Sequence, residues 1–311
     1  MNIGILGTGF GAYHASLLAK MEGVNRVVIF GRNESKLNQL KQELGVEITT
    51  SIDKILSDAT LDVIDICLPS DLHSKYAIQG LKAGKHVFCE TPVCLSTEDA
   101  GAMQKAEKVY GKRIMVNQFI KFDPAYSYLF EAKQSEKYGK LLHVSLKRET
   151  APLWGDLGLG KIATHLMIHE LDMVSWLLNN PRLTSVWGSD SGQDGQALVH
   201  AVFDTPEVSA EIMVSSQMPG SYPFTVGYAA YFEQAKLEFH EIDHPDGQVD
   251  AKLYEYGVNG KQKIVLEQAN PYEKSLRYAL QSFHDGSASR ISLKQAVQAV
   301  EMAFEITRRL L

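Results

Sequence analysis

Between residues 2 and 119, short apolar runs alternate with helically spaced segments, and this alternation restricts the fold more than any other feature of the chain. The runs NIGILG (2–7), RVVIFG (26–31), DVIDICLP (62–69), HVFCE (86–90) and RIMVNQF (113–119) read as strands. AYHASLLAKM (12–21), SKLNQLKQEL (35–44), HSKYAIQGLKAG (73–84) and STEDAGAMQKAEKVYG (96–111) read as helices. A strand that re-enters a sheet in the same direction needs a right-handed crossover long enough to hold a helix, so the pattern predicts a parallel sheet. Helices on both faces explain why the runs are nearly all apolar instead of alternating. The punctuation agrees, with Ser96 and Asp99 as an N-cap pair and Gly84 and Gly111 where C-caps belong.

Beyond residue 120 the texture changes. A helix over 124–136, the run KLLHVSLKRE (140–149) and a helix around 163–178 are followed by strand-like runs without helices between them. These are 183–189, 197–204, 208–216, 224–232, 235–242 and 263–268. Turn residues separate them, among them Asp204-Thr205-Pro206, Pro245-Asp246-Gly247 and Asn259-Gly260. Helices over 271–285 and 292–311 end the chain. The expected fold is α/β: an N-terminal Rossmann doubly wound parallel sheet over 1–120, then an α+β domain over 121–311 with a largely antiparallel open sheet. The last helix, 292–311, is expected to pack back near the first domain.

Composition narrows the function classes. At 311 residues with 45% hydrophobic and 22% charged residues, the chain has ample material for a core. A net charge of −6 without a basic run disfavours a nucleic-acid partner. No apolar stretch reaches the roughly 20 residues that span a bilayer, so no membrane partner is expected. MNIGILGTGF has no basic flank and enters a glycine turn at once, unlike a signal peptide. Cys67, Cys89 and Cys94 form no C-x-x-C pair and read as buried reduced thiols, which makes a cytoplasmic location the expectation.

The turn ILGTGFGAYH (5–14) sits between the first strand and the first helix. Gly7, Gly9 and Ala12 have the G-x-G-x-x-(G/A) spacing of a dinucleotide site, with Thr8, Phe10 and Gly11 between them. Gly7 makes the tight turn, Gly9 lets the backbone approach a pyrophosphate, and Ala12 still permits close helix–strand packing. The helix N-terminus attracts the phosphate charge. At the end of the second strand, where an acid would bind the adenosine 2′-hydroxyl, Gly31 and Arg32 stand instead. A small residue beside a guanidinium suits a 2′-phosphate, so NADP is favoured over NAD, although Arg32 could equally cover an adenine face in an NAD enzyme.

Four segments together, ILGTGFGAYHA, DVIDICLPSDLHSKYAIQGLKAGKHVFCETP, VNQFIKFDPAY and HLMIHELDMVSWLL, resemble the Gfo/Idh/MocA oxidoreductases in order and spacing over essentially the whole chain. That is the family of glucose-fructose oxidoreductase and the inositol dehydrogenases. The resemblance implies a nucleotide-binding domain of about 120 residues, a C-terminal sheet domain that commonly forms homodimers or homotetramers, and NAD(P)-dependent chemistry on a hydroxyl of a sugar, cyclitol or related polyol. It places Pro69 and His73, in the loop after 62–69, near the cofactor. It places Glu90 against the nicotinamide ribose, with Thr91, Pro92 and Asn117 at the same edge.

Two positions depart from the family pattern. The loop that usually reads E-K-P is Glu90-Thr91-Pro92, so the ammonium that relatives hold near the reacting hydroxyl is replaced by a neutral hydroxyl with less reach. The pattern D-x-x-x-H-x-x-D is matched by His169 and Asp172, while His165 replaces the first aspartate. His169 is the expected proton-transfer group, because imidazole titrates near working pH. On one continuous helix His165 and Asp172 would share its face and tune it. H-x-x-x-H with a nearby carboxylate also has metal-ligand spacing, but the resemblance accounts for His169 and Asp172 without a metal. Lys121, where many relatives carry arginine, is a candidate cation for substrate hydroxyls or an ordinary surface lysine. Asn117 and Gln118 are candidates to bond sugar hydroxyls or the carboxamide. Trp154, in APLWGD (151–156), could stack on a sugar ring or pack in the core. The expected function is hydride transfer between nicotinamide and a small polyhydroxylated substrate. The alternative is a catalytically silent NAD(P)- and sugar-binding sensor, and redox-assisted glycoside cleavage is a further, minor one.

Overall fold

A computed structural model describes residues 1–179, 181–190, 195–244 and 246–311. Pro245 of the Pro245-Asp246-Gly247 turn lies outside the described residues. The chain forms two compact units, 1–119 with 272–297 and 120–271 with 298–311.

The first unit begins with β1 (Asn2–Leu6), α1 (Phe10–Leu18), β2 (Arg26–Phe30), α2 (Glu34–Leu44), β3 (Glu47–Thr49) and α3 (Ile52–Ser57). It continues with β4 (Val63–Ile66), α4 (His73–Lys82), β5 (His86–Cys89), α5 (Thr97–Tyr110) and β6 (Ile114–Val116). The six strands are parallel in the order β3-β2-β1-β4-β5-β6, the dinucleotide-binding order whose ligand crevice opens at the carboxyl ends of β1 and β4. β1, β4 and β5 are buried almost throughout, as helices on both faces require. The expected caps are present. Ser96 Oγ accepts the Asp99 N–H at 3.1 Å, and Gly84 and Gly111 take φ of 77° and 62°. β3 and α3 escaped the sequence pattern because three half-exposed residues and six helical ones carry too little periodicity.

The second unit contains α6 (Pro124–Gln134), β7 (Leu141–Glu149), α7 (Ile162–His165) and α8 (Ile168–Leu178). β8 (Arg182–Asp190), β9 (Ala197–Asp204), β10 (Ser209–Ser215), β11 (Phe224–Phe232), β12 (Lys236–Asp243), β13 (Val249–Gly257) and β14 (Gly260–Ile264) follow. They form one eight-stranded sheet, β14-β13-β12-β11-β7-β10-β9-β8, antiparallel except for the β7–β10 pair. Along β9, buried Ala197, Val199, Ala201 and Phe203 alternate with half-buried residues, the signature of a sheet packed on one face. α6 lies on that face, where Tyr228 donates to the Ala125 carbonyl at 2.8 Å.

α9 (Pro271–Asp285) and α10 (Leu293–Leu310) close the chain. Here the structure modifies the expected division. Residues 272–297 belong to the first unit, so the second domain is not the continuous stretch 121–311. The Arg113 guanidinium donates to the Ser282 carbonyl at 2.8 Å, His86 stacks on Phe283 at 4.8 Å, and the Val116 amide donates to Ile291. A linear reading of the sequence has no signal for such a return.

The helix expected around 163–178 is also broken. Leu166, Met167 and Ile168 are all buried, and three consecutive apolar positions sweep roughly 200° of a regular helix. The chain solves this by ending α7, with Leu166 at φ −117° and the Met167 amide reaching back five residues to Ile162, before starting α8. His165 and His169 therefore do not share one continuous helical face.

Candidate functional site

In the first unit, the glycine turn follows β1 at the point where the strand order reverses. Gly7 has φ of 114°, and a Cβ there would stand 2.4 Å from the Cys67 carbonyl oxygen, so only glycine fits. A Cβ on Gly9, at the N-terminus of α1, would meet nothing within 4 Å, leaving space for a pyrophosphate to approach the backbone. The close helix–strand contact comes from Gly11, where a Cβ would lie 2.9 Å from Ile5 and 3.2 Å from Cys67. Ala12, expected in that role, is only half-buried, which explains why alanine is tolerated there. Thr8 packs over Gly31, whose Cβ would stand 2.6 Å from Thr8 Cγ2. Arg32 beside it is exposed, with no ion pair among the described residues. Phe10 is 40% exposed and joins Tyr13, Tyr272 and Phe119 in an aromatic cluster, with Phe119 and Tyr272 stacked at 4.2 Å.

Two loops complete this edge. His73, buried, lies 2.7 Å from the Leu68 carbonyl and 2.8 Å from the Pro92 carbonyl. Its ring thus ties the loop after β4 to the loop after β5, with Pro69 exposed beside it. Glu90, Thr91 and Pro92 follow β5, and the Thr91–Pro92 bond is cis. Asn117 Nδ2 donates to Glu90 Oε1 at 2.6 Å, while Asn117 Oδ1 is buried without a partner among the described residues. His14 Nε2 lies 3.1 Å from the same Glu90 oxygen. His14, Cys67 and Glu90 bring metal-ligand atom types within 4.8 Å of one another. Burial pushes the Cys67 thiol far above its ordinary range, however, and a protonated thiol is a poor ligand.

In the second unit, α8 presents His169, half-buried, with its pKa pushed well below the ordinary value by burial and by the Arg148 charge. The imidazole is neutral at working pH, the form that can accept a proton. Arg148, on β7, sets Nε 2.9 and 3.0 Å from the two oxygens of buried Glu170 and lies 5.3 Å from the Phe224 ring. Neighbouring Glu149 accepts from the Tyr222 hydroxyl at 2.8 Å and from Lys147 at 3.1 Å. Glu241, on β12, is pushed up to about 7 by burial and by Asp123 and Asp243. Sequence reasoning missed this set, although three consecutive charges at the end of a strand (Lys147-Arg148-Glu149) were a readable signal.

The remaining expected residues are dispersed. Lys121 is 1% exposed and pairs with Asp172 at 2.9 Å, so it is no surface lysine, and Asp172 faces Lys121. His165 is exposed, with Nδ1 2.8 Å from Thr164 Oγ1. Trp154 is 53% exposed and edges onto Phe224 at 5.3 Å, outside the core.

Residues 1–118 match the family described as the oxidoreductase family, NAD-binding Rossmann fold. The inositol 2-dehydrogenase of Paracoccus denitrificans is 30% identical over 186 residues, which are 58% of this chain and 55% of that one. The chain spans about 55% of the length of the curated relatives it matches first. Among solved structures, a UDP-N-acetylglucosamine 3-dehydrogenase from Acidithiobacillus ferrooxidans superposes with a TM-score of 0.82 at 17% identity, covering 100% of this chain and 97% of that one. A 3-ketoreductase from Actinomadura kijaniata in complex with NADP gives 0.81 at 16%, covering 98% and 96%. Such identities speak to fold, and the sheet order agrees. Residues 1–118 are thus similar in sequence to the oxidoreductase family with the NAD-binding Rossmann fold, and the order of the six parallel strands agrees with that fold.

Proposed function

We propose that the chain is an NAD(P)-dependent oxidoreductase acting on a hydroxyl or carbonyl carbon of a sugar, cyclitol or related polyol. The observation that carries this is the glycine turn at the β1/β4 reversal, with open space over Gly9 where a dinucleotide pyrophosphate would lie. The backbone of Gly7, Thr8, Gly9, Phe10, Gly11 and Ala12 would hold the pyrophosphate. Arg32, exposed and with no ion pair among the described residues, would meet the adenosine end and favours NADP. Pro69, Glu90, Thr91, Pro92 and Asn117 would form the nicotinamide edge, where the orphaned Asn117 Oδ1 has an acceptor to offer a carboxamide. Bound nicotinamide supplies or takes the hydride.

His169 would move the proton, taking it from the substrate hydroxyl in oxidation. Its neutral ring is ready for that role without first losing a proton. Thr91 brings no charge, and Lys121 is committed to Asp172. The pair would anchor the start of the second unit against α8, and exposed His165 would at most touch substrate.

Fluorescence titration with NADPH and NADH, followed by a turnover screen over sugars and cyclitols, tests the reading. His169→Ala is expected to lower turnover about 10²–10⁴-fold while cofactor affinity stays within about twofold. A fully active variant would remove His169 from the mechanism. Tight cofactor binding with no turnover across the panel would favour a sensor.

A further inference from the structure

β4 reads Val63-Ile64-Asp65-Ile66, and all four side chains are buried. A carboxylate inside a sheet covered on both faces needs a partner. His14 provides it from α1: wholly buried, its Nδ1 lies 2.8 Å from Asp65 Oδ2. Its other nitrogen faces Glu90 Oε1 at 3.1 Å, the oxygen that also accepts from Asn117. One imidazole thus stands between two carboxylates carried by neighbouring strands. Nδ1 is hydrogen-bonded to Asp65, while Nε2 approaches Glu90 at ion-pair distance without hydrogen-bond alignment. A neutral ring could offer one N–H to only one side, whereas the protonated ring sets a positive charge beside both carboxylates.

We propose that His14, held as an imidazolium between Asp65 and Glu90, is a positioning cation that keeps the Glu90 carboxylate charged and fixed at the carboxyl edge of the nucleotide-binding sheet, with Asp65 maintaining that charge. The relevance of this edge to nicotinamide rests on the dinucleotide reading above, whereas the charge state of His14 does not. Every other group facing the ring is neutral. Cys67 Sγ is 3.4 Å from Nδ1, and Cys89 precedes Glu90, but burial raises both thiols. Phe10 and Phe88 close off the ring at 5.1 and 6.0 Å, and Asn117 is an amide. Burial alone would depress the His14 pKa, yet the charge and hydrogen bond of the Asp65 carboxylate hold it above the ordinary value.

The consequence is that the His14 charge offsets one of the two carboxylates and leaves one net negative charge at this edge for as long as His14 keeps its proton. An oxidised nicotinamide brings a positive charge to such an edge and a reduced one brings none. The ratio of NADP⁺ to NADPH affinity should then be flat with pH. Asp65→Asn leaves His14 one carboxylate in a buried setting, so His14 should lose its proton within the neutral range and release its hold on Glu90.

The test uses the whole chain labelled with ¹⁵N-histidine. Imidazole nitrogen shifts are followed from about pH 6 to 8.5, with the His14 signals assigned by their loss in His14→Gln. Both dissociation constants are measured over the same range for the wild type, Asp65→Asn and Glu90→Gln. Imidazolium shifts for His14 throughout the range are expected in the wild type and in Glu90→Gln, with a midpoint inside it in Asp65→Asn. The affinity ratio should be flat in the wild type and change about tenfold in Asp65→Asn, tracking that midpoint. A neutral His14 in the wild type near pH 7, or an Asp65→Asn ratio as flat as the wild type's, overturns the proposal. If the wild type binds neither dinucleotide, the cofactor reading fails, and the nitrogen shifts alone decide the state of His14.

Discussion

Three glycines within five residues carry different duties, and substitution should separate them. Gly9→Ala meets open space, so chemical unfolding should move by less than about 0.5 kcal/mol, while dinucleotide affinity falls about tenfold or more because the methyl occupies the pyrophosphate approach. Gly11→Ala drives a methyl into Ile5 and Cys67 and should cost about 1–3 kcal/mol of stability. Arg32→Ala should weaken NADPH more than NADH, read as a ratio of the two titration constants. The first two glycines were legible from spacing alone. The contact assigned to Ala12 was not, because the rotation of α1 over Ile5 decides which residue meets the strand. Of the two readings of Lys121, substrate cation or surface lysine, the second falls because the side chain is buried against Asp172, a contact that no local sequence pattern announces.

The elements themselves were mostly visible where burial is one-sided or complete, and poorly so elsewhere. β13 (VDAKLYEYG) buries only Leu253 fully, so no period stood out from its charges. The break between α7 and α8 hid behind a run of apolar residues that suits a helix by composition but not by geometry. One element junction also carries a pH dependence. His86 stacks on Phe283 of α9, and burial, with Lys112 and Arg113, depresses its pKa to about 4. The unfolded chain therefore gains this proton first as pH falls below about 6.5, and the stability His86 contributes above that pH is lost down to about 4. His14 has the opposite sign, its contribution being complete below about 6.5 and lost only as pH rises through its raised value. Melting temperatures of His86→Gln should decline less than the wild type's between pH 6.5 and 4. A second junction is the Arg148–Glu170 pair: Arg148→Met strands a buried carboxylate and should cost about 3–5 kcal/mol in urea unfolding.

At the scale of the molecule, the first unit is built from two separated pieces of chain. A chain ended at Asn270 would lack the partners of Arg113, His86 and Val116, and its first unit should melt at a lower temperature than in the intact chain, as read by calorimetry. The division near residue 120 was legible because the strand–helix rhythm stops there. The return of 272–297 was not, since an amphipathic helix does not announce which surface it covers.

That return has a consequence for synthesis on the ribosome. When residue 119 has been made, the unit that started first still lacks the helix that closes it, and residues 120–297 must follow. At translation rates of roughly 5–20 residues per second, the wait is about nine to thirty-six seconds. During that interval the second unit can complete most of its sheet while the nucleotide-binding half stays exposed to chaperones and proteases. The first unit thus becomes complete only when residue 297 has been made, although 119 of its residues precede every residue of the second unit.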